Sequence, residues 1–99
     1  MKYSFDWDAK KEISNRQKHR TAFRQAATVF EDPCQITIYD EKHSQKEDRW
    51  ITLGLDSEGI VRVVVHTFDQ LSKDVCKIRI ISARKANKSE VFQYQEGDE

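Results

Sequence analysis

Phe23, Ala26, Ala27 and Phe30 fall at i, i+3, i+4 and i+7, which makes one continuous apolar stripe along a helix. Thr21 stands where an N-cap belongs, and Pro33 marks where that helix must have ended. Just upstream, the stretch from about 9 to 19 has only Ala9 and Ile13 as apolar residues. It predicts a surface helix capped by Asp8 and preceded by a short alternating strand from Tyr3 to Trp7. Beyond Pro33 the period changes to 2. Ile36 and Ile38 alternate with Thr37 and Tyr39, and Ile51, Leu53 and Leu55 alternate with Trp50 and Thr52. Residues 40–48 form a polar turn between these two strands, and Asp56-Ser57-Glu58-Gly59 is a hairpin loop. Two further strands follow over 60–68 and 75–82. Asn87 and Glu90 then have the spacing of a capping box for a last helix, which packs back through Val91 and Tyr94. The order is short strand, two helices, antiparallel meander, helix. That is a small α+β domain spanning residues 1–99.

Strand parity sorts the side chains into faces. On 60–68 one face is Val61, Val63, Val65 and Thr67, and on 75–82 one face is Cys76, Ile78, Ile80 and Ser82. These apolar sets are expected to face the core. The opposite faces mix apolar residues with Arg62, His66, Lys77 and Arg79. Such a face suits a phosphodiester, or it is simply the wet side of an antiparallel sheet.

Composition narrows the picture. Leu, Ile, Val and Phe make up 23 of 99 residues, above the roughly 20% below which a highly charged chain stays disordered. The net charge is zero but segregated: residues 1–30 carry +4, 31–58 carry −5, 70–88 carry +5 and 89–99 carry −4. Two basic blocks brought together would make a positive surface for phosphates. No apolar run approaches the roughly 18 residues of a membrane span, and the N-terminus does not resemble a signal peptide. Cys34 and Cys76 are isolated, which points to reduced thiols in a cytoplasmic protein and away from zinc or a disulfide framework.

No glycine-rich phosphate loop occurs, and the carboxylates of 40–48 are too loosely spaced for a two-metal site. The remaining chemistry is cations plus histidines, with Lys18-His19 closing the first helix and Arg84-Lys85 following the last strand. Metal-independent RNA cleavage needs such groups: proton donors and acceptors, and cations for the developing charge. Arg49 beside Trp50 can hold a phosphate and stack a base; alternatively Trp50 is core and Arg49 pairs with Asp48 or Glu47.

Phe5-Asp-Trp-Asp8, Asn15-x-x-Lys18-His19, Asp32-Pro33, Gly54, Val63-Val-Val-His-Thr67, Arg79-Ile-Ile-Ser-Ala-Arg-Lys-Ala86, Glu90 and Tyr94 together resemble the BrnT-type toxins of type II toxin–antitoxin systems. The resemblance implies a fold similar to the RelE ribonucleases and a bacterial, cytoplasmic endoribonuclease that inhibits translation; the residues themselves call for no cofactor or metal. It also implies a BrnA-like ribbon-helix-helix antitoxin as partner, with operator DNA reached only through that antitoxin. The catalytic residues it implies are His19, Arg49, His66 and Arg79, with Lys18, Ser82, Arg84 and Lys85 binding RNA; the mixed strand faces add Arg62 and Lys77 to the RNA-binding set. Two positions depart from the family pattern. Arg20 stands where the family has Gly, and Phe68-Asp69 where it often has Glu-Arg. The alternative reading is an antitoxin-binding co-repressor that cleaves little.

Overall fold

The computed structural model describes residues 2–97, whose elements are β1 (Lys2–Trp7), α1 (Ala9–His19), α2 (Phe23–Ala27), β2 (Ile36–Tyr39), β3 (Trp50–Leu55), β4 (Val61–His66), β5 (Asp69–Gln70), β6 (Val75–Lys85) and α3 (Lys88–Glu96). Asp8 caps α1 as expected, its carboxylate accepting from the N–H groups of Lys10 and Lys11. Asn87 and Glu90 form the reciprocal capping box of α3. Gly59 closes the 56–59 loop at φ 84°, a backbone angle that glycine adopts without a Cβ penalty. Thr21, by contrast, caps nothing. Ala22 is the N-cap of α2, and the Thr21 hydroxyl donates to the His19 carbonyl instead. The α2 helix is only five residues long and tightens into a 3-10 turn over Thr28–Glu31 before Pro33.

The sheet order is β1-β6-β4-β3-β2, with β5 pairing β6. The expected antiparallel sheet is in fact mixed, because β1 runs parallel to β6, from Lys2 opposite Val75 to Trp7 opposite Ile80. Helices α1 and α2 cover one face. There Phe23, Ala26, Val29 and Phe30 meet Val64, Cys76, Ile78, Ile80 and Ala83 in the main core, with Phe5 and Trp7 packed against it. Gly54 lets β3 approach the 3-10 turn: a Cβ at that position would lie 3.0 Å from the Val29 Cβ. Asn15, the one buried residue of α1, donates to the carbonyls of Thr21 and Ala83 and accepts from the Ala83 N–H. It thereby ties α1 to β6.

The opposite face is only partly covered. Helix α3 seals its end, packing Val91 and Tyr94 on Leu53, Val63 and Ala86. The Tyr94 hydroxyl donates to Asp32 across 2.5 Å, and Asp32 also accepts from the N–H groups of Cys34 and Leu55.

Both faces of β4 are therefore occupied, and the expected assignment of faces is corrected there. Val64 belongs to the helical core, and Arg62 and His66 share its side with 8% and 1% exposure. A bulge corrects β6 as well. Val65 pairs with Ser82 and His66 with Ile80, so Ile81 is extra and parity inverts after it. Cys76, Ile78 and Ile80 face the core as expected, but Ser82 turns away from it and Ala83 turns in.

Candidate functional site

The bulge and the loop after β2 shape the open face. A concavity of about 440 Å³ lies between them, lined by Asp40, His43, Arg49, Val65, Ser82 and Arg84 among others. Beside it is a groove of about 340 Å³ in which Lys77 and Arg79 lie among four carboxylates, Asp6, Glu47, Asp48 and Asp69, with Thr67 and Phe68 completing the wall. Arg49 borders the first, and its loop neighbours Glu47 and Asp48 border the second.

That loop is closed by its own backbone. The Asp40 N–H donates to the Arg49 carbonyl, the Ser44 hydroxyl donates to the Asp40 carbonyl, and the Arg49 N–H donates to the Ser44 hydroxyl. Residues 40 and 49 are thus fixed side by side on one rim. Arg49 Nε is buried without a hydrogen-bond partner, with a Glu47 carboxylate oxygen 3.5 Å away. Trp50 points to the other side of the sheet, where it stacks edge-on against Tyr39. It therefore cannot share a base with Arg49.

Of the other expected cations, Arg79 is exposed and takes part in none of the ion pairs among the described residues. Lys77 stands beside it, its ammonium 3.3 Å from Asp6. Arg84 reaches the first concavity but is held by Glu90 through two parallel bonds of 2.8 Å. This fork-on-fork contact pushes the Arg84 pKa up and the Glu90 carboxyl down.

The remaining expectations are placed elsewhere. Arg62 is not on an RNA-facing surface, because its guanidinium is buried between Asp56, at 2.9 Å, and the Thr21 hydroxyl, at 3.0 Å. His66 is likewise internal. Its Nδ1–H donates to the Thr67 carbonyl at 2.9 Å, so Nε2 accepts from the Thr52 hydroxyl at 2.7 Å. Phe30 packs edge-on against the ring, and burial pulls the His66 pKa down against the opposing Thr67 bond. Its ring is neutral, satisfied and out of reach of solvent. Lys18 and His19 are exposed at the end of α1, in the layer covering the opposite face. Lys85 is exposed at the end of β6, paired with Arg62 across the strands. Arg20 adopts the left-handed conformation (φ 53°) that the family's Gly would favour, so the helix end is kept despite the substitution.

Sequence reasoning missed His43. Its Nδ1 lies 3.1 and 3.0 Å from the two carboxylate oxygens of Asp40, in the same concavity as Arg49. The only signal is Asp40-x-x-His43 in a turn that reads as polar filler. Among the described residues no three His, Cys, Asp or Glu side chains gather as a metal ion would require, and no helix is long and apolar enough to cross a membrane.

Comparison with curated proteins gives no match. Among solved structures, the 1.1 Å crystal structure of the Brucella abortus ribonuclease toxin, BrnT, is similar to this chain with a TM-score of 0.58. Sequence identity is 20%, and the similarity covers 89% of this chain and 100% of that one. The fold is thus that of a known toxin. Residues 7–90 match the family described as ribonuclease toxin, BrnT, of type II toxin–antitoxin system. That span runs from Trp7, the last residue of β1, to the capping box of α3, and the chain belongs to the BrnT family of ribonuclease toxins.

Proposed function

We propose that this BrnT-family chain is a metal-independent endoribonuclease that cleaves RNA in the cytoplasm, inhibits translation and is held inactive by a ribbon-helix-helix antitoxin. The observation that carries the reading is that Arg49 lines one groove of the open sheet face and Arg79 lines the other, with Glu47 and Asp48 of the Arg49 loop in the Arg79 groove. A guanidinium presents a planar fork to two phosphate oxygens, and two forks along one face can hold a bent phosphodiester while charge builds on phosphorus. Lys77 and Ser82 extend the same face. Arg62 and His66 have no part in this reading beyond supporting the sheet. Lys18, His19 and Lys85, being exposed away from the two grooves, suit a flanking RNA strand or the antitoxin better than the scissile phosphate.

The test is expression of the lone chain from an inducible promoter, with growth and RNA integrity followed together. Purified protein should cleave RNA in EDTA and leave a 2′,3′-cyclic phosphate or its hydrolysed 3′-phosphate. Loss of activity in EDTA that Mg²⁺ restores would remove the mechanism. A second reading, an antitoxin-binding co-repressor with little nuclease activity, draws on the apolar groove of Ile36, Ile38, Leu53 and Val63 beside α3. Unchanged growth and intact RNA, together with antitoxin-dependent operator binding, would favour it. In either reading the antitoxin brings the operator contact. An acidic antitoxin segment that complements the basic stretches 1–30 and 70–88 would bind less tightly as salt rises.

A further inference from the structure

The ribonuclease reading leaves the 2′-hydroxyl proton without an acceptor. Of the chain's three histidines, His66 has both ring nitrogens committed inside the protein, and His19 belongs to the layer on the far side of the sheet. His43 alone lines the concavity that holds Arg49 and Ser82.

We propose that His43 is the general base of RNA cleavage and that Asp40 is its positioning residue, a proposal that rests on the ribonuclease reading above. Its geometry differs from that of an ordinary surface pair. Asp40 is 7% exposed and anchored through its own N–H and carbonyl, whereas the His43 side chain is 66% exposed. A fixed carboxylate thus holds a ring that stays open to solvent. Because Asp40 faces Nδ1 with both oxygens, the proton of the neutral ring resides on Nδ1. The Nε2 lone pair is then the free basic site, the tautomer a base requires. The other charged groups around the ring are Lys42, Arg49 and Arg84 in the concavity, and Lys46, Glu47 and Arg49 on the loop's other side.

The step balances with groups already named. Nε2 takes the 2′-hydroxyl proton as O2′ forms its bond to phosphorus, and the P–O5′ bond breaks. The 5′-oxygen leaves as a hydroxyl with a proton from water, and the imidazolium neutralises the resulting hydroxide. Arg49 faces the extra negative charge on the phosphorane.

The experiment uses the full chain, with RNA cleavage followed from pH 5 to 9 for the parent and for His43→Gln, Asp40→Asn and His19→Gln. The expected result is a loss of about 10²-fold or more in His43→Gln, with the acid limb of the pH–rate profile flattened. Asp40→Asn should lose less and retain a limb at a changed position, and imidazole should partly rescue a His43→Ala protein. In the parent, nitrogen NMR on the alkaline side of the limb should show His43 protonated on Nδ1 and bare on Nε2. Circular dichroism melts confirm that each variant is folded. A parent that cleaves, beside a folded His43→Gln with the same rate and profile, overturns this assignment and leaves the ribonuclease reading intact. The assignment falls equally if His19→Gln removes the limb instead. A parent inert toward RNA overturns both.

Discussion

Replacing Arg62 by Met should cost stability and leave the chemistry alone, contrary to what its place with His66, Lys77 and Arg79 on the mixed strand faces suggests. Arg62 and Asp56 have side chains 10% and 0% exposed, with Nε and Oδ2 2.9 Å apart. Removing the guanidinium leaves a carboxylate oxygen facing an apolar wall and takes the donor from Thr21. Breaking one side of a buried pair costs about 3–5 kcal/mol. That is a large part of the roughly 5–15 kcal/mol available to a domain. Asp56 also shapes the hairpin loop, its Oδ1 accepting from the N–H groups of Glu58 and Ile60. Asp56→Asn keeps that acceptor, so the double variant Arg62→Met/Asp56→Asn should lose less than the two singles combined. Urea unfolding checks this, with a lower midpoint and an unchanged slope expected for Arg62→Met. Burial pushes the Asp56 carboxyl up, but the bonds from Ile60, Arg62 and Glu58 outweigh it and hold the folded value below 3.8. Its contribution is therefore present above 3.8 and lost as pH falls through the lower folded value. Acid unfolding should accordingly be shallower in Asp56→Asn. An Arg62→Met protein with parental urea resistance and no RNA cleavage would refute the reasoning and return Arg62 to the substrate.

Arg79→Ala should lower RNA cleavage about 10²–10³-fold, the effect of losing one preorganised donor, without lowering the melting temperature, and Arg79→Lys should recover only part. Burial depresses the His66 pKa below 6.5, so its contribution to stability is full above 6.5 and lost as pH falls through the folded value; urea midpoints at pH 7.5 and 5.0 should diverge more in the parent than in His66→Gln. Arg20 is strained by its left-handed φ of 53°; Arg20→Gly should gain about 0.5–1 kcal/mol after the greater freedom of unfolded glycine is subtracted, a rise of a few degrees in a thermal melt. Tyr94 is pushed up to about 12 by burial and by the Asp32 carboxylate; an ultraviolet titration should show one late-ionising tyrosine, absent in Tyr94→Phe.

Local chemistry is legible wherever one residue acts alone. Asp8, Asn87 and Gly59 announce their caps and turn because each acts on backbone within four residues. The faces of β4 are not legible, because alternation separates two sides without saying which is wet. Arg62 passes for an exposed cation until Asp56 and Thr21 are seen around it, and His66 for a site residue until Thr52 arrives from the next strand. One extra residue, Ile81, moves Ser82 to the other face, and nothing in the strand's apolar spelling marks a bulge there. Partnership across the sheet is likewise invisible in pattern: β1 reads as a strand, but its parallel alignment with β6 is a property of the whole fold. His43 escapes notice because a lone histidine in a polar turn carries no period at all.

The central position of β6 has a consequence in time. It pairs with β1, β4 and β5, and supplies Cys76, Ile78, Ile80 and Ala83 to the core. Strand β1 is made long before β6, its partner among the described residues, which begins at Val75. Synthesis at about 5–20 residues per second leaves it waiting for several seconds. Joining such distant segments also makes the folding step itself slow. A chain interrupted before Val75 lacks both the middle of its sheet and Arg79. Such a truncated chain cannot assemble the face proposed to bind RNA, and that face forms only after β6 has been synthesised.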